Sequence, residues 1–308
     1  MDLDLRKVRY FVVVAEELNF GRAAERLHIA QPVLSRQIRA LEKELGAQLF
    51  VRDSSGTQLT RAGTQLLADA SLLLAGADAA RRRVAQAARA TSTFTVGFMP
   101  GLTVTGPILA LSAAHPDLTV EVLRTTYTNQ VTVLHDGRAD IGYIRMPADL
   151  TGLQTSALFS EPRVAVVPAA HRLAGKEAVS IRDLADEHLL QDTDAVPEWR
   201  SVAKEMHDRQ RPATIAQARS VEEKLEHVAA GRGFSVLPES AATYYQRSDV
   251  AWAPITDISP SEVRLAWVAT RRTPLIAEFV QLAQAALTDA WRDPITVAGA
   301  GKRNPRPH

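Results

Sequence analysis

Residues 31–46, QPVLSRQIRALEKELG, hold side chains whose types and spacing suit the reading of a nucleic-acid duplex. Wound as a helix, the first turns present Gln31, Pro32, Ser35, Arg36 and Arg39, while Leu34, Ile38 and Leu41 face inward. A glutamine amide matches the edge of adenine, a guanidinium grips guanine, and serine or lysine holds phosphate oxygens. Gln31 and Ser35 are therefore expected at bases or backbone, Arg36 at a base edge, and Arg39 in solvent or facing phosphate. Pro32 is tolerated in the first turn, where its missing N–H is not needed. Arg52 would reach the adjacent minor groove or the backbone.

The charge distribution agrees with a local target. The chain carries a formal charge of +1, which divides into +4 over residues 1–90 and −3 over the rest. A basic front on a slightly acidic body points to nucleic acid at one end only. Chemistry of other kinds finds no footing. There is no cysteine, so disulfides, thiolate metal sites and thiol redox sensing are excluded. The eight histidines are scattered, and no HExxH, Gly-x-Ser-x-Gly or phosphate-binding Gly-Lys-Ser/Thr loop occurs. Neither an enzyme nor a cofactor is expected. No apolar run nears the roughly 20 residues that span a bilayer, and the N-terminus does not read as a secretion signal. The expected compartment is the cytoplasm, without membrane attachment.

The elements that must position these residues follow from periodicity. Leu5–Glu17 reads as a helix, Asn19 caps a second over 21–27, and the third runs from Gln31 to a stop at Gly46. AQLFVRD and TQLTR around SSG have hairpin grammar. Two helices joined by a tight turn and followed by a hairpin describe a winged helix-turn-helix, whose second helix enters the major groove. From Thr60 a helix of about 30 residues has little to bury within so small a unit, which points to pairing with a second copy.

After residue 91 strands and helices alternate, which predicts an α/β body with parallel sheets. TFTVGF, LTVEVL, ADIGYI, RVAVVP, ATIAQA, GFSVLP and VRLAWVAT read as strands; GPILALSAAH, NQVTVLHDG, PEWRSVAKEMHDR, SVEEKLEHVAAG and the run from Pro274 read as helices. The expected division is a DNA-binding domain over 1–59, a linker helix over 60–90 and a two-lobed, periplasmic-binding-protein-like domain over 91–298. Lobe I takes 91–162 and 265–298, lobe II takes 163–264, and 299–308 is a disordered tail.

The segment RYFVVVAEELNFGRAAERLHIAQPVLSRQIRALEKELGAQLFVRDSSGTQLTRAG resembles the N-terminal signature of LysR-type transcriptional regulators, and the likeness runs on through ADIGYI and AAGRGFSVLPESAA to about residue 295. Its front is similar to the branch that controls aromatic-compound catabolism. The resemblance implies a homodimer or a homotetramer built as a dimer of dimers on double-stranded promoter DNA. It also implies a small-molecule effector, an organic anion by preference, in the cleft between the lobes.

Ligands of such lobes sit beyond the carboxyl ends of strands, where helices begin. That rule selects MPGLTVT after the first strand, with Gly101, Leu102 and Thr103, and TTYTNQ after the second, with Tyr127 and Thr128. In the other lobe it selects QDTDAVPEW, with Asp192, and the region around Ser220. Related regulators tend to carry Ser where Gly101 stands and Thr where Tyr127 stands, so the pocket departs from theirs in size and polarity. Arg145 matches a basic position after ADIGYI; it either faces the cleft, as an anchor for an anion, or pairs with Glu161. Ser220 and Glu223 have capping-box spacing. The rival readings are a ligand-independent repressor and a DNA-architectural protein, the latter having no need of a ligand-sized cleft.

Overall fold

A computed structural model of the chain describes residues 3–53, 56–88, 92–206 and 220–292. It has two compact units, one built on residues 1–89 and the other drawn from residues 90–134 and 139 onward.

In the first unit, α1 (Leu5–Glu17) starts at Asp4, whose carboxylate accepts from Arg6 N, and ends on Leu18 in the left-handed conformation. Asn19 begins α2 (Phe20–Arg26) by accepting from Gly21 N and Arg22 N at 2.9 and 3.0 Å. This satisfies two of the orphan donors of a helix start. α3 (Gln31–Leu45) has Pro32 in its first turn and stops at Gly46 with φ +64°, a conformation that glycine adopts without penalty. The hairpin β1 (Phe50–Asp53) and β2 (Gly56–Leu59) pairs Phe50 with Leu59 and Arg52 with Thr57. Thr60 then opens α4 (Arg61–Ala87): its hydroxyl donates to Gln48 O and accepts from Gly63 N. At 27 residues α4 is about 40 Å long.

The three short helices close over Phe11, Phe20, Leu34, Ile38, Leu41, Leu49 and Phe50, with the Phe11 and Phe50 rings 5.3 Å apart. Glu42 accepts from Leu49 N and Phe50 N, which ties α3 to the hairpin. Gly63 has a packing role: a Cβ there would lie 2.2 Å from Leu49 O.

The second unit contains two sheets. Its elements in order are β3 (Ser92–Phe98), α5 (Thr105–Ala114), β4 (Leu118–Arg124), α6 (Thr132–His135), β5 (Ile141–Arg145), β6 (Leu153–Glu161) and β7 (Arg163–Pro168). Short 3-10 turns at Ile181–Leu184 and Thr193–Ala195 lead to α7 (Pro197–Met206), α8 (Val221–Ala229), β8 (Ser235–Pro238), α9 (Glu239–Tyr244), β9 (Val250–Pro254), β10 (Ser261–Val268) and α10 (Pro274–Arg292). The first sheet has the order β4-β3-β5-β10-β6, the second β8-β7-β9.

The expectation of parallel sheets is corrected. β3 pairs in parallel with β4 and β5, but β10 runs antiparallel to β5 and β6, and both described neighbours of β7 are antiparallel to it. Strand–helix alternation fixes the connections, and a helical connection can still return a strand in either direction. β6 and β9 had no counterpart in the sequence reading, and the helix expected over NQVTVLHDG shrinks to Thr132–His135. The strand ATIAQA, the end of the helix before it and the tail 299–308 lie outside the described residues.

The run RVAVVP is apolar at every step because β7 is covered on both faces. Val164 and Val166 join Leu225, Val228 and Leu237 on one side; Ala165 and Val167 join Ile181, Leu184 and Phe234 on the other. The first sheet buries Phe94, Val96, Ile141, Tyr143, Val263 and Leu265 beneath Ile276 and Phe279 of α10. The chain passes between the sheets twice, through Pro162 after β6 and through residues 255–260 before β10. The cleft lies beside these crossings.

Candidate nucleic-acid interface and effector cleft

On α3, Gln31, Pro32, Arg36 and Arg39 are exposed and Ser35 is half-buried, while Leu34, Ile38 and Leu41 are wholly inside. The guanidinium groups of Arg36 and Arg39 have no carboxylate partner among the described residues. Nearby cations differ. Lys7 pairs with Glu44, Arg9 with Asp78, Arg22 with Glu17, and Arg26 with Glu16 and Glu17. These pairs leave the positive charge of the outer face of α3 uncompensated, as a phosphate-lined groove requires. Arg52 lies in β1 opposite Thr57, at the hairpin expected to form the wing.

The second unit has a cleft of about 230 Å³. Its lining includes Met99, Pro100, Met146 and Pro147 from the side of the first sheet, the loop 124–128, Arg163 and Ser261 at the crossings, and Gln191, Asp192, Ser220–Glu222, Lys224, Val236, Pro238 and Tyr245. The loop after β4 is held rigidly. Thr125 N donates to Phe98 O, Thr126 N to Asn129 Oδ1, and the buried Gln130 amide brackets the backbone of Arg145 in both directions.

Across the cleft, Arg124 meets the Glu222 carboxylate in a close ion pair and donates to Tyr245 Oη at 3.0 Å, while Tyr245 Oη donates to Glu222 at 2.9 Å. Burial pushes the Glu222 carboxyl up. Hydrogen bonds from its own N–H, Tyr245 and Arg124 outweigh that and hold it below the ordinary carboxylate range. Tyr127 is 39% exposed, but its phenol is pushed above the ordinary value by desolvation, against the pull of Arg145. Lys224 is pushed down by desolvation.

Of the residues chosen from sequence, Tyr127, Thr128 and Asp192 line this cleft. Gly101, Leu102 and Thr103 do not. Gly101 (φ +89°) lies against α9, where a Cβ would sit 2.7 Å from Ser240 O; Leu102 is buried in the core, and Thr103 is exposed. Arg145 is also outside the lining, which corrects its choice as an anion anchor. It is buried, with Nη1 on Glu161 and Nη2 donating to Ser240 Oγ at 2.8 Å, so its charge is already matched inside the protein. The alternative weighed from the sequence, a pair with Glu161, is the arrangement found. Ser220 caps α8 by accepting from Glu223 N, one half of the expected box.

Sequence reasoning reached the segment TTYTNQ and the surroundings of Ser220 without singling out Thr125, Glu222 or Lys224, and it passed over Arg124 and Tyr245. The rule that ligands sit beyond strand ends pointed to the region around Ser220, and so to the first turn of α8. No motif or spacing marks Arg124 or Tyr245.

Comparison with known proteins finds a family match for each part of the chain. Residues 5–64 match the bacterial regulatory helix-turn-helix protein, lysR family, and residues 87–288 match the LysR substrate binding domain. The chain is 32% identical over 278 residues to the uncharacterized HTH-type transcriptional regulator YnfL of Escherichia coli, covering 87% of this chain and 93% of that protein. It is 31% identical over 292 residues to the Hca operon transcriptional activator HcaR of the same organism, covering 92% and 97%. The crystal structure of full-length BenM, a regulator from Acinetobacter baylyi, matches with a TM-score of 0.52 at 28% identity over 94% of this chain and 98% of that one. With a helix-turn-helix of this kind ahead of a substrate-binding domain of this kind, the chain belongs to the LysR family of transcriptional regulators.

Proposed function

We propose that this regulator binds promoter DNA sequence-specifically through α3 of paired copies, and that a small carboxylate-bearing effector in the cleft alters that grip. The observation that carries the reading is the pair of exposed arginines on α3, Arg36 and Arg39, without carboxylate partners among the described residues, while Arg22 and Arg26 of α2 are paired with Glu16 and Glu17. Residues 1–59 serve as the DNA-binding domain, 60–90 as the dimerising linker and 91–298 as the effector domain. Pairing is supported by the apolar side chains that α4 leaves outside: Leu72 at 39%, Leu73 at 43% and Val84 at 72% exposure. Two copies joined there would set two recognition helices on successive major grooves, as two-fold operator symmetry demands. A further dimerisation would give the tetramer. No described helix is long and apolar enough to cross a membrane. The name of HcaR, an operon activator, supports control of a promoter by this chain as well.

The test is a gel-shift titration on DNA upstream of the protein's own gene, with unrelated DNA as competitor, repeated with small carboxylates. A shifted band that resists the competitor and changes with one of the acids supports the reading. A monomeric protein indifferent to every fragment would overturn it.

A further inference from the structure

Lys224 and Thr125 reach the cleft with bonding capacity that the protein does not use. Lys224 projects from α8, and its Nζ makes no ion pair or hydrogen bond to any described residue. It lies 5.9 Å from the centre of the Tyr127 ring, which offers a favourable face but no lone pair for an ammonium's three donors. The two other basic residues of the lining are spoken for: Arg124 by Glu222, and Arg163 by Glu198 at 2.5 Å. Thr125 is 2% exposed, and its hydroxyl has no hydrogen-bond partner among the described residues.

A partly desolvated ammonium and a buried idle hydroxyl are both unfavourable until a polar group meets them. Two carboxylates also line the cleft and bear on what can bind. Glu222 is neutralised by Arg124, so its unpartnered Oε2 offers an acceptor for a ligand O–H or N–H. Asp192 is exposed, and its Oδ1 accepts from Asp194 N.

Resting on the reading of this cleft as the effector site, we propose that Lys224 anchors the effector's anionic group, the role that Arg145 is not free to take. We further propose that the effector is a compact monocarboxylate with a flat apolar body. One unmatched cation suits one carboxylate, and Thr125 Oγ1 supplies a further hydrogen bond within the same cleft. Met99, Pro100, Met146, Pro147 and Val236 supply apolar walls. The volume of about 230 Å³ lies between a cavity of about 150 Å³ that encloses a benzene ring and the roughly 300–1,000 Å³ of sites for drug-sized ligands. It therefore suits a single ring or a chain of similar bulk.

The probes are benzoate, phenylacetate and hexanoate, with benzamide as the neutral counterpart of benzoate, each titrated calorimetrically into the full-length protein. The wild-type chain should bind at least one of the acids, and benzoate about ten- to a hundredfold more tightly than benzamide, the range of one charge-assisted hydrogen bond. Lys224→Gln should erase that preference, Lys224→Arg should keep most of it, and Thr125→Val should weaken all the acids. Equal affinity of Lys224→Gln and wild type for the acids would overturn the assignment of Lys224 and leave the effector cleft standing. Failure of every acid to bind the wild type would overturn both. Should Lys224→Gln fold poorly, a wild-type preference for benzoate that Lys224→Arg retains supports the anchor, and equal wild-type affinities for benzoate and benzamide reject it.

Discussion

Glu161→Gln tests the claim that Arg145 is a structural cation. The Arg145 side chain is 1% exposed and that of Glu161 10%. One carboxylate oxygen takes Arg145 Nη1 and the other accepts from Ser240 N at 2.8 Å, while Ser240 Oγ accepts from Nη2 at 2.8 Å. Arg145 Nε has no hydrogen-bond partner among the described residues. Removing the negative charge strands a guanidinium in the interior, a change that costs about 3–5 kcal/mol. The glutamine oxygen still accepts one hydrogen bond, which favours the lower end. In a unit of this size each kcal/mol moves the melting temperature by about 2–4 °C, so a fall of roughly 6–12 °C is expected.

Tryptophan fluorescence reads the right transition, because Trp199, Trp252, Trp267 and Trp291 all lie beyond residue 90. Replacing both partners, as Arg145→Met with Glu161→Leu, should restore much of the loss and give a coupling energy above about 2 kcal/mol in the double-mutant cycle. A drop smaller than 2 °C for Glu161→Gln, or single losses that simply add, would refute the reasoning. So would an Arg145→Met chain that melts like wild type and loses only its affinity for carboxylates.

At the DNA interface, Arg36→Ala should reduce the preference for operator over unrelated DNA by about 1–3 kcal/mol, and unchanged selectivity in competition gel shifts would reject its base contact. Arg39→Ala should weaken all sequences alike and lower the salt slope by about one; a salt titration that superimposes on wild type would remove it from the phosphate set. Gly63→Ala places a Cβ 2.2 Å from Leu49 O and should destabilise the first unit by about 1–3 kcal/mol. Gly76→Ala, on the same helix with nothing within 4 Å of the new Cβ, should stabilise it by about 1 kcal/mol. Thermal circular dichroism that ranks these two glycine variants in the opposite order would contradict the packing of α4. Asn19→Ala loses two cap hydrogen bonds and should lower stability by about 1 kcal/mol; a melt within error of wild type would show the cap to be idle.

Local rules made the first unit legible. Asn19, Pro32, Gly46 and Thr60 act through neighbours a few residues away, so the bounds of α1 and α3 and the start of α4 follow from caps and periodicity. The same holds for the outward and inward faces of α3, since 3.6 residues per turn assign both. The second unit was legible as alternating strands and helices because burial leaves its own mark on hydrophobicity. Strand direction was not, since antiparallel and parallel neighbours of β7 would carry the same apolar run.

The cleft shows where sequence stops. Which loops follow strands can be read from the chain, and Tyr127, Thr128 and Asp192 were found that way. Whether Arg145 is free or matched depends on Glu161 and Ser240, 16 and 95 positions distant. Gly101, Leu102 and Thr103 sit at a strand end as expected, but the approach of α9 to Gly101 and the burial of Leu102 keep that turn out of the lining. Lys224 looks like any solvated helix lysine until the fold sets its Nζ 5.9 Å from the Tyr127 ring centre, without an ion pair among the described residues. Local hydrogen bonding and periodicity act over a few residues and are written into the sequence itself. The compensation of a charge is a sum over everything that surrounds it, and only the assembled structure brings those groups together.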